Sequence, residues 1–313
     1  MKWPGFVLLL AVMVVGGYAG LMHSLLCAGD RQLARGEVDE AIRLYTRVLD
    51  LPPRLAAAHL KRGSAFLKRG DYDRAIEDCT RAIELDPGSA GAYKERGVAR
   101  GRKGEFDREM EDYSRAIALD PGFVVAYFDR GVAHDRTGDA EQAIRDYSQA
   151  LALDPGLAKA CNNRGLAYLK KGEYGLAFAD LNKAIGIDPD YASAYSNRGL
   201  VQEERGELDL AIEDMSAAVK LDPNFAMAYQ NRCRAYVRKG EFERAIRDCT
   251  RAIELQPALA PAYVERAAAW RETGETDKAT ADLLAACGMG SQPACEDLAR
   301  SGAWLASRPI WRP

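Results

Sequence analysis

Three asparagines, Asn163, Asn197 and Asn231, stand 34 residues apart, and each is followed at once by an arginine. A carboxamide both accepts and donates, so evenly spaced carboxamides can pair with the backbone of an extended chain without reading its sequence. One turn on stand Leu166, Leu200 and Arg234, and beyond them Leu169 and Val237. A basic stripe, Lys68, Arg102, Arg136, Lys170 and Arg238, keeps the same spacing. The set Asn163, Leu166, Lys170, Asn197, Leu200, Asn231 and Arg234 therefore describes a surface for a polypeptide with apolar side chains and some acidic ones. In the competing reading the asparagines are structural and the basic residues complement helix ends. Bond-making chemistry has less to draw on. The three histidines, His23, His59 and His134, are scattered. No His/Cys spacing resembles a zinc site, and no glycine run fits a phosphate loop or a dinucleotide fingerprint. The expectation is no enzyme, no metal, no cofactor and no small-molecule substrate. Net charge is −3 with acids and bases interspersed, which leaves no electrostatic footprint for nucleic acid.

The arginines beside the asparagines belong to a longer pattern. Arg62, Arg96, Arg130, Arg164, Arg198, Arg232 and Arg266 are each followed 16 residues later by an aspartate: Asp78, Asp112, Asp146, Asp180, Asp214, Asp248 and Asp282. The first unit has Ala28 and Leu44 at these places and so lacks both partners together. We infer an ion pair tying two segments of each unit, against the alternative of two independently solvated charges. Removing one partner of a well-buried pair costs about 3–5 kcal/mol.

The elements that must position these residues follow from the period. Pro53, Pro87, Pro121, Pro155, Pro189, Pro223 and Pro257 are 34 apart, as are Gly36, Gly70, Gly104, Gly138, Gly172, Gly206, Gly240 and Gly274. A fixed period of this length specifies a solenoid, in which each unit buries its apolar face only by stacking on its neighbours. In residues 194–223, small and apolar residues recur at three- and four-residue spacing on both sides of Gly206, which predicts two amphipathic helices. Arg205 suits the negative end of the first and Glu207 the positive start of the second. The second helix stops near Leu221–Asp222–Pro223, because proline lacks the amide proton. Eight repeats start near 22, 56, 90, 124, 158, 192, 226 and 260 and fill residues 22–290, after an N-terminal segment 1–21 and before a capping helix and tail, 291–313. Too few residues lie outside the repeats for a catalytic domain.

The pattern resembles the tetratricopeptide repeat family. The matching residues are the first-helix glycines (Gly63, Gly97, Gly131, Gly165, Gly199), the alanine opening the second helix (Ala41, Ala75, Ala143, Ala177, Ala211, Ala245, Ala279) and the later alanine (Ala82, Ala116, Ala150, Ala184, Ala218, Ala252, Ala286), with the terminal proline. The resemblance implies an all-α solenoid, a right-handed superhelix of antiparallel helix pairs. Its concave groove, lined by the first helices, would serve protein–protein interaction. It makes the asparagine row similar to the ladder with which members of the family hold extended peptides. No three consecutive repeats supply the Lys and Asn set of the family's carboxylate clamp, so capture of a C-terminal carboxylate is disfavoured. A self-assembling structural role is the alternative. Where the family commonly has Leu before the first glycine, this chain has the arginines above. Repeat three departs again: Glu109 replaces the usual alanine, and Arg100 takes an aromatic position, so either Arg100 and Glu109 pair or the joint is looser.

The ends add location. Residues 3–29 contain no Asp, Glu, Lys or Arg. They read as a cleaved export signal or as a membrane anchor running into the first repeat; both put the repeats outside the cytoplasm, periplasmic in a Gram-negative cell. Cys287 and Cys295 stand eight apart, a spacing similar to the bridged helix pairs of Sel1-like repeats. That resemblance implies a disulfide in an oxidising compartment, with two free thiols as the alternative. Cys79, Cys161, Cys233 and Cys249 take positions that other repeats fill with Tyr or Gly and read as buried thiols, and Cys27 reads as filler too. Trp304 and Trp311 follow the last helix, to pack over the end of the array or to dock elsewhere.

Overall fold

One turn is the building unit of each helix pair. The first helix of a pair ends at Arg205, and Gly206 takes φ 78°, a left-handed value that a side chain would strain. The Glu207 N–H then donates back to the Gln202 carbonyl at 2.9 Å. The second helix closes on Asp222, at φ −128° and ψ 94°. Its carboxylate accepts the Asn224 N–H at 2.9 Å, reaching across Pro223. Asp86, Asp120 and Asp188 do the same at 3.1, 3.0 and 3.1 Å. The aspartate of Leu–Asp–Pro thus shapes the exit turn by accepting, while the proline withholds the donor that a further helical turn would need.

The computed structural model describes residues 4–52 and 55–301, with side chains for 18–52 and 55–300. They contain helices and no strand. The chain divides into two units, Met1–Pro155 and Gly156–Pro313. The first holds α1 (Pro4–Ala34), α2 (Val38–Leu49), α3 (Ala56–Arg69), α4 (Tyr72–Leu85), α5 (Ala90–Arg102), α6 (Phe106–Leu119), α7 (Val124–Arg136) and α8 (Ala140–Leu153). The second holds α9 (Ala158–Lys170), α10 (Tyr174–Ile187), α11 (Ala192–Glu204), α12 (Leu208–Leu221), α13 (Ala226–Lys239), α14 (Phe242–Leu255), α15 (Ala260–Glu272), α16 (Thr276–Gly288) and α17 (Gln292–Ser301). Within each unit, helices pair in sequence as antiparallel hairpins, and each hairpin packs on the next. This is the all-α solenoid that the period predicts. In unit 2, α17 covers the last pair, burying Ala294 and Leu298 against Leu283 and Ala286.

Small residues set how closely the paired helices approach. A Cβ on Gly97 would lie 2.9 Å from the Tyr113 ring, one on Gly131 2.7 Å from Tyr147, and one on Gly199 2.9 Å from Met215. Each of these glycines is therefore space for the large side chain 16 residues on. Repeat seven fills that contact differently, and here the sequence reading needs correcting. Cys233 stands in the glycine's place and Cys249 in the large residue's place, and they form a disulfide with Cα atoms 5.5 Å apart. The position is one of near-contact in every repeat, so two cysteines there meet within bonding reach. Cys287 and Cys295 are also bridged, joining α16 to α17. Cys79 and Cys161 are free and buried, and Cys27 is free and partly exposed.

The expected signal or anchor at 3–29 falls largely on residues whose side chains lie outside those described. Among the described residues no helix is long and apolar enough to cross a membrane. Trp304 and Trp311 also lie outside the described residues.

Candidate functional site

The arginine–aspartate spacing resolves into seven forked ion pairs. In α11 and α12, Arg198 Nε donates to Asp214 Oδ2 at 2.7 Å and Nη2 to Oδ1 at 2.6 Å. Arg62–Asp78, Arg130–Asp146, Arg164–Asp180, Arg232–Asp248 and Arg266–Asp282 repeat this geometry at 2.6 to 2.8 Å. Arg96 reaches Asp112 at 2.8 and 3.0 Å. The aspartates are buried. The Asp214 hydrogen bonds push the Arg198 guanidinium further above its ordinary range. The remaining Nη1 crosses to the preceding repeat: Arg62 donates to Thr46, Arg96 to Thr80, Arg130 to Ser114, Arg232 to Ser216 and Arg266 to Thr250, at 3.0 to 3.1 Å, and Arg198 to Asn182 at 2.5 Å. Each such arginine therefore staples three helices. The Thr/Ser row at 46, 80, 114, 216 and 250 was visible in the sequence at the arginine spacing but carries no meaning until the helices stack.

Repeat three corrects a second expectation. Arg100 does not pair with Glu109; its Nη1 joins Asp112 at 2.8 Å. Glu109 is buried and pairs with Arg136 of the next repeat. Burial pushes the Glu109 carboxyl up from its ordinary value, with Arg136 opposing. A Cβ on Gly101 would collide with the Glu109 carboxylate, so the glycine is the compensation for the oversized residue.

Six of the seven partner-binding candidates meet around one concavity of unit 2, about 670 Å³ in volume. Asn163 and Leu166 come from α9, Asn197 and Leu200 from α11, and Asn231 and Arg234 from α13. Lys170 is exposed at the end of α9 and does not line it. Tyr191, Phe225, Met227 and Pro261 supply further apolar wall. Burial pushes the Tyr191 phenol up, as expected of a poorly hydrated wall. The asparagines are partly committed to one another's repeats. Asn197 Nδ2 donates to Asn162 Oδ1 at 2.8 Å, Asn162 Nδ2 to Asn163 Oδ1 at 3.1 Å, and buried Asn231 donates to Ser196 Oγ at 3.2 Å. Sequence reasoning passed over Asn162, Ser196 and Gln230, the neighbours one residue before the asparagine row.

Arg234 is not the open positive charge that the sequence suggested. Its Nε and Nη2 grip Glu203 at 2.9 and 2.8 Å, and Arg238 joins the same carboxylate at 3.1 Å. Glu203 is only 1% exposed, a depth a carboxylate holds only when paired. Arg136, of the basic stripe, is likewise taken by Glu109.

Unit 1 carries charges where α9, α11 and α13 of unit 2 carry amides. The register of Asn163 holds Lys61, Glu95 and Asp129 in earlier repeats. Lys61 pairs with Asp30 at 2.8 Å and Glu95 with Lys94 at 2.8 Å, beside a concavity of about 460 Å³ also lined by Leu33, Leu60, Phe123 and Val125. Burial pushes the Asp129 carboxyl up to about 6. No group of three His, Cys, Asp or Glu side chains that could hold a metal ion occurs among the described residues.

Models of the tetratricopeptide repeat match residues 28–90, 65–123, 192–225 and 226–259, and a TPR repeat model matches 136–172 and 165–206. No curated protein matches the chain. Among solved structures the chain is similar to the APC/C hetero-tetramer Cut9–Hcn1, at 17% identity and a TM-score of 0.67, over 88% of this chain and 55% of that one. It thus spans little more than half the length of that protein. A tetratricopeptide repeat protein from Parabacteroides merdae matches at 21% identity and a TM-score of 0.65, over 78% of this chain and 96% of that one. PilF of Pseudomonas aeruginosa matches at 18% and 0.59, over 69% and 98%. At these identities the likeness concerns the fold.

Proposed function

This chain belongs to the tetratricopeptide repeat family, whose fold scaffolds protein–protein interaction, and on that footing we propose that unit 2 binds an extended polypeptide in the concavity of α9, α11 and α13. The observation that carries the reading is the interleaving of Asn163 and Asn197 with Leu166, Leu200, Phe225 and Met227 around one volume. Amides pair with a peptide backbone and the apolar wall receives alternate side chains, so one surface serves both halves of an extended chain. The ligand is not selected for acidic side chains by Arg234, because Glu203 already holds that guanidinium.

The same reading puts the repeats in an oxidising, extracytoplasmic compartment, secreted or tethered through the N-terminal segment. Two disulfides support it, since such bridges persist where thiols are not kept reduced. The uncharged run at 3–29 supports export or tethering.

Site-specific photo-crosslinking in cells tests the groove. A crosslinker at position 200 should trap a polypeptide partner, one at exposed position 213 on α12 should not, and Asn163→Ala with Asn197→Ala should reduce the first adduct. Equal adducts from both positions, or an adduct indifferent to the asparagines, would sink the proposal. Asn231 is left intact in this test because it is buried and bonded to Ser196.

A further inference from the structure

The asparagine row does not end at Asn231. The sixth residue of α9, α11 and α13 is Asn163, Asn197 and Asn231, and the sixth of α15 is Glu265. Pro261 of α15 lines the concavity, and Glu265 stands four residues on, one turn along the same helix face. The fourth rung of the amide row is therefore a carboxylate. Its setting decides what it can do. The arginines at this end, Arg234 and Arg238, both direct their guanidinium groups at Glu203. Glu265 itself makes no hydrogen bond or ion pair among the described residues, and Glu204 adds a third carboxylate to the field on Arg234. Three carboxylates, Glu203, Glu204 and Glu265, thus bear on two guanidiniums that both bond Glu203; of the two left without a direct partner, Glu204 is exposed and Glu265, partly buried, sits in the ladder register. Burial raises the Glu265 carboxyl from its ordinary value, with Arg234 opposing and Glu203 reinforcing.

We propose that the polypeptide held in this groove presents a cationic group, a lysine or arginine side chain, to Glu265, which sets the register and direction in which the segment binds. The inference rests on the groove reading and goes beyond it. The amides and the apolar wall of the first three rungs hold any extended chain; a partly dehydrated carboxylate at the fourth discriminates, because a charged hydrogen bond is stronger there than in open water. The partner chemistry reverses the acidic preference that the basic stripe suggested.

The test uses the full oxidised chain and a phage-displayed library of random dodecapeptides, followed by fluorescence anisotropy on synthetic, terminally blocked versions of the selected sequences. Selected peptides should share a lysine or arginine at one place relative to their apolar residues. Replacing it with norleucine should weaken Kd about tenfold against the wild type and leave Kd unchanged against Glu265→Gln. Glu265→Lys should reselect peptides with an acidic residue at that place. If peptides bind and are lost on Asn163→Ala with Asn197→Ala, but show no basic preference or keep it in Glu265→Gln, this proposal falls and the groove stands. If no peptide is selected, or binding ignores the asparagines, both fall. Unchanged helical melting of Glu265→Gln separates lost contact from lost fold.

Discussion

Cutting one arginine staple should cost far more than a surface ion pair, and cutting both of its partners far less than the sum. Arg198 and Asp214 show the expected magnitude. Their side chains are 21% and 10% exposed, and the fork closes at 2.7 and 2.6 Å. The guanidinium also lies over the rings of Tyr195 and Phe178, with its carbon 5.5 and 5.9 Å from their centroids. Arg198→Ala leaves the Asp214 carboxylate buried with no counter-charge, which should cost about 3–4 kcal/mol, near the lower end for a broken buried pair because one edge of the guanidinium still meets water. Asp214→Leu should cost a similar amount by stranding the arginine. Arg198→Met with Asp214→Leu removes both charges and refills the space, and should return to within about 1 kcal/mol of the wild type. With Arg198→Met as the arginine single, the coupling read from the cycle is then about 5 kcal/mol or more. Repeat arrays unfold piecewise, so one global transition is a poor gauge. Hydrogen exchange of amides in α11 and α12, beside urea titration of the helical signal, reads the local term. A single-mutant cost below about 1 kcal/mol, the range of exposed pairs, or simple addition of the two singles, would refute the reasoning.

Three further outcomes are expected. In a background lacking Cys287 and Cys295, reductant should lower the melting point of the wild-type Cys233–Cys249 pair by an amount corresponding to about 3 kcal/mol, the loop term for a bridge of this span. Cys233→Gly with Cys249→Met, which restores the arrangement of Gly199 and Met215, should be folded and indifferent to reductant. Gly101→Ala should cost about 1–3 kcal/mol by driving into Glu109, and Gly101→Ala with Glu109→Ala should recover most of it, measured by thermal melting. Asp129, its carboxyl lifted to about 6 by burial, binds its proton more tightly folded than unfolded. Its contribution to stability therefore falls as pH rises from about 4 to about 6. Asp129→Asn should stabilise the chain by up to about 3 kcal/mol at pH 7 and by less than about 1 kcal/mol at pH 4, read from urea titrations at both.

The period of 34 made the helices, their turns and the Arg–Asp spacing legible, because each is written in residues that recur eightfold or sevenfold. What escaped is a set of contacts that no single column displays. Against its own column, one of glycines and one of tyrosines, leucines and a methionine, each of Cys233 and Cys249 reads as a small substitution. Only the contact between those columns, where a Cβ on Gly199 meets Met215 at 2.9 Å, turns two small substitutions into one bond. Gly101 and Glu109 escaped for the same reason, since an oversized acid in an alanine column is a defect until the emptied column beside it is seen. Arg234 escaped through its partner: Glu203 stands 31 residues earlier, a separation that matches neither helix nor repeat alone but their difference across stacked first helices. The groove followed the opposite course. Its amides were legible because they repeat, and its charge was not, because charge there is settled between neighbours. A solenoid's fold is thus written along columns and, on the proposed reading, its specificity across them: in unit 2 the residue that breaks the asparagine column, Glu265, would bear more on partner choice than the three that keep it.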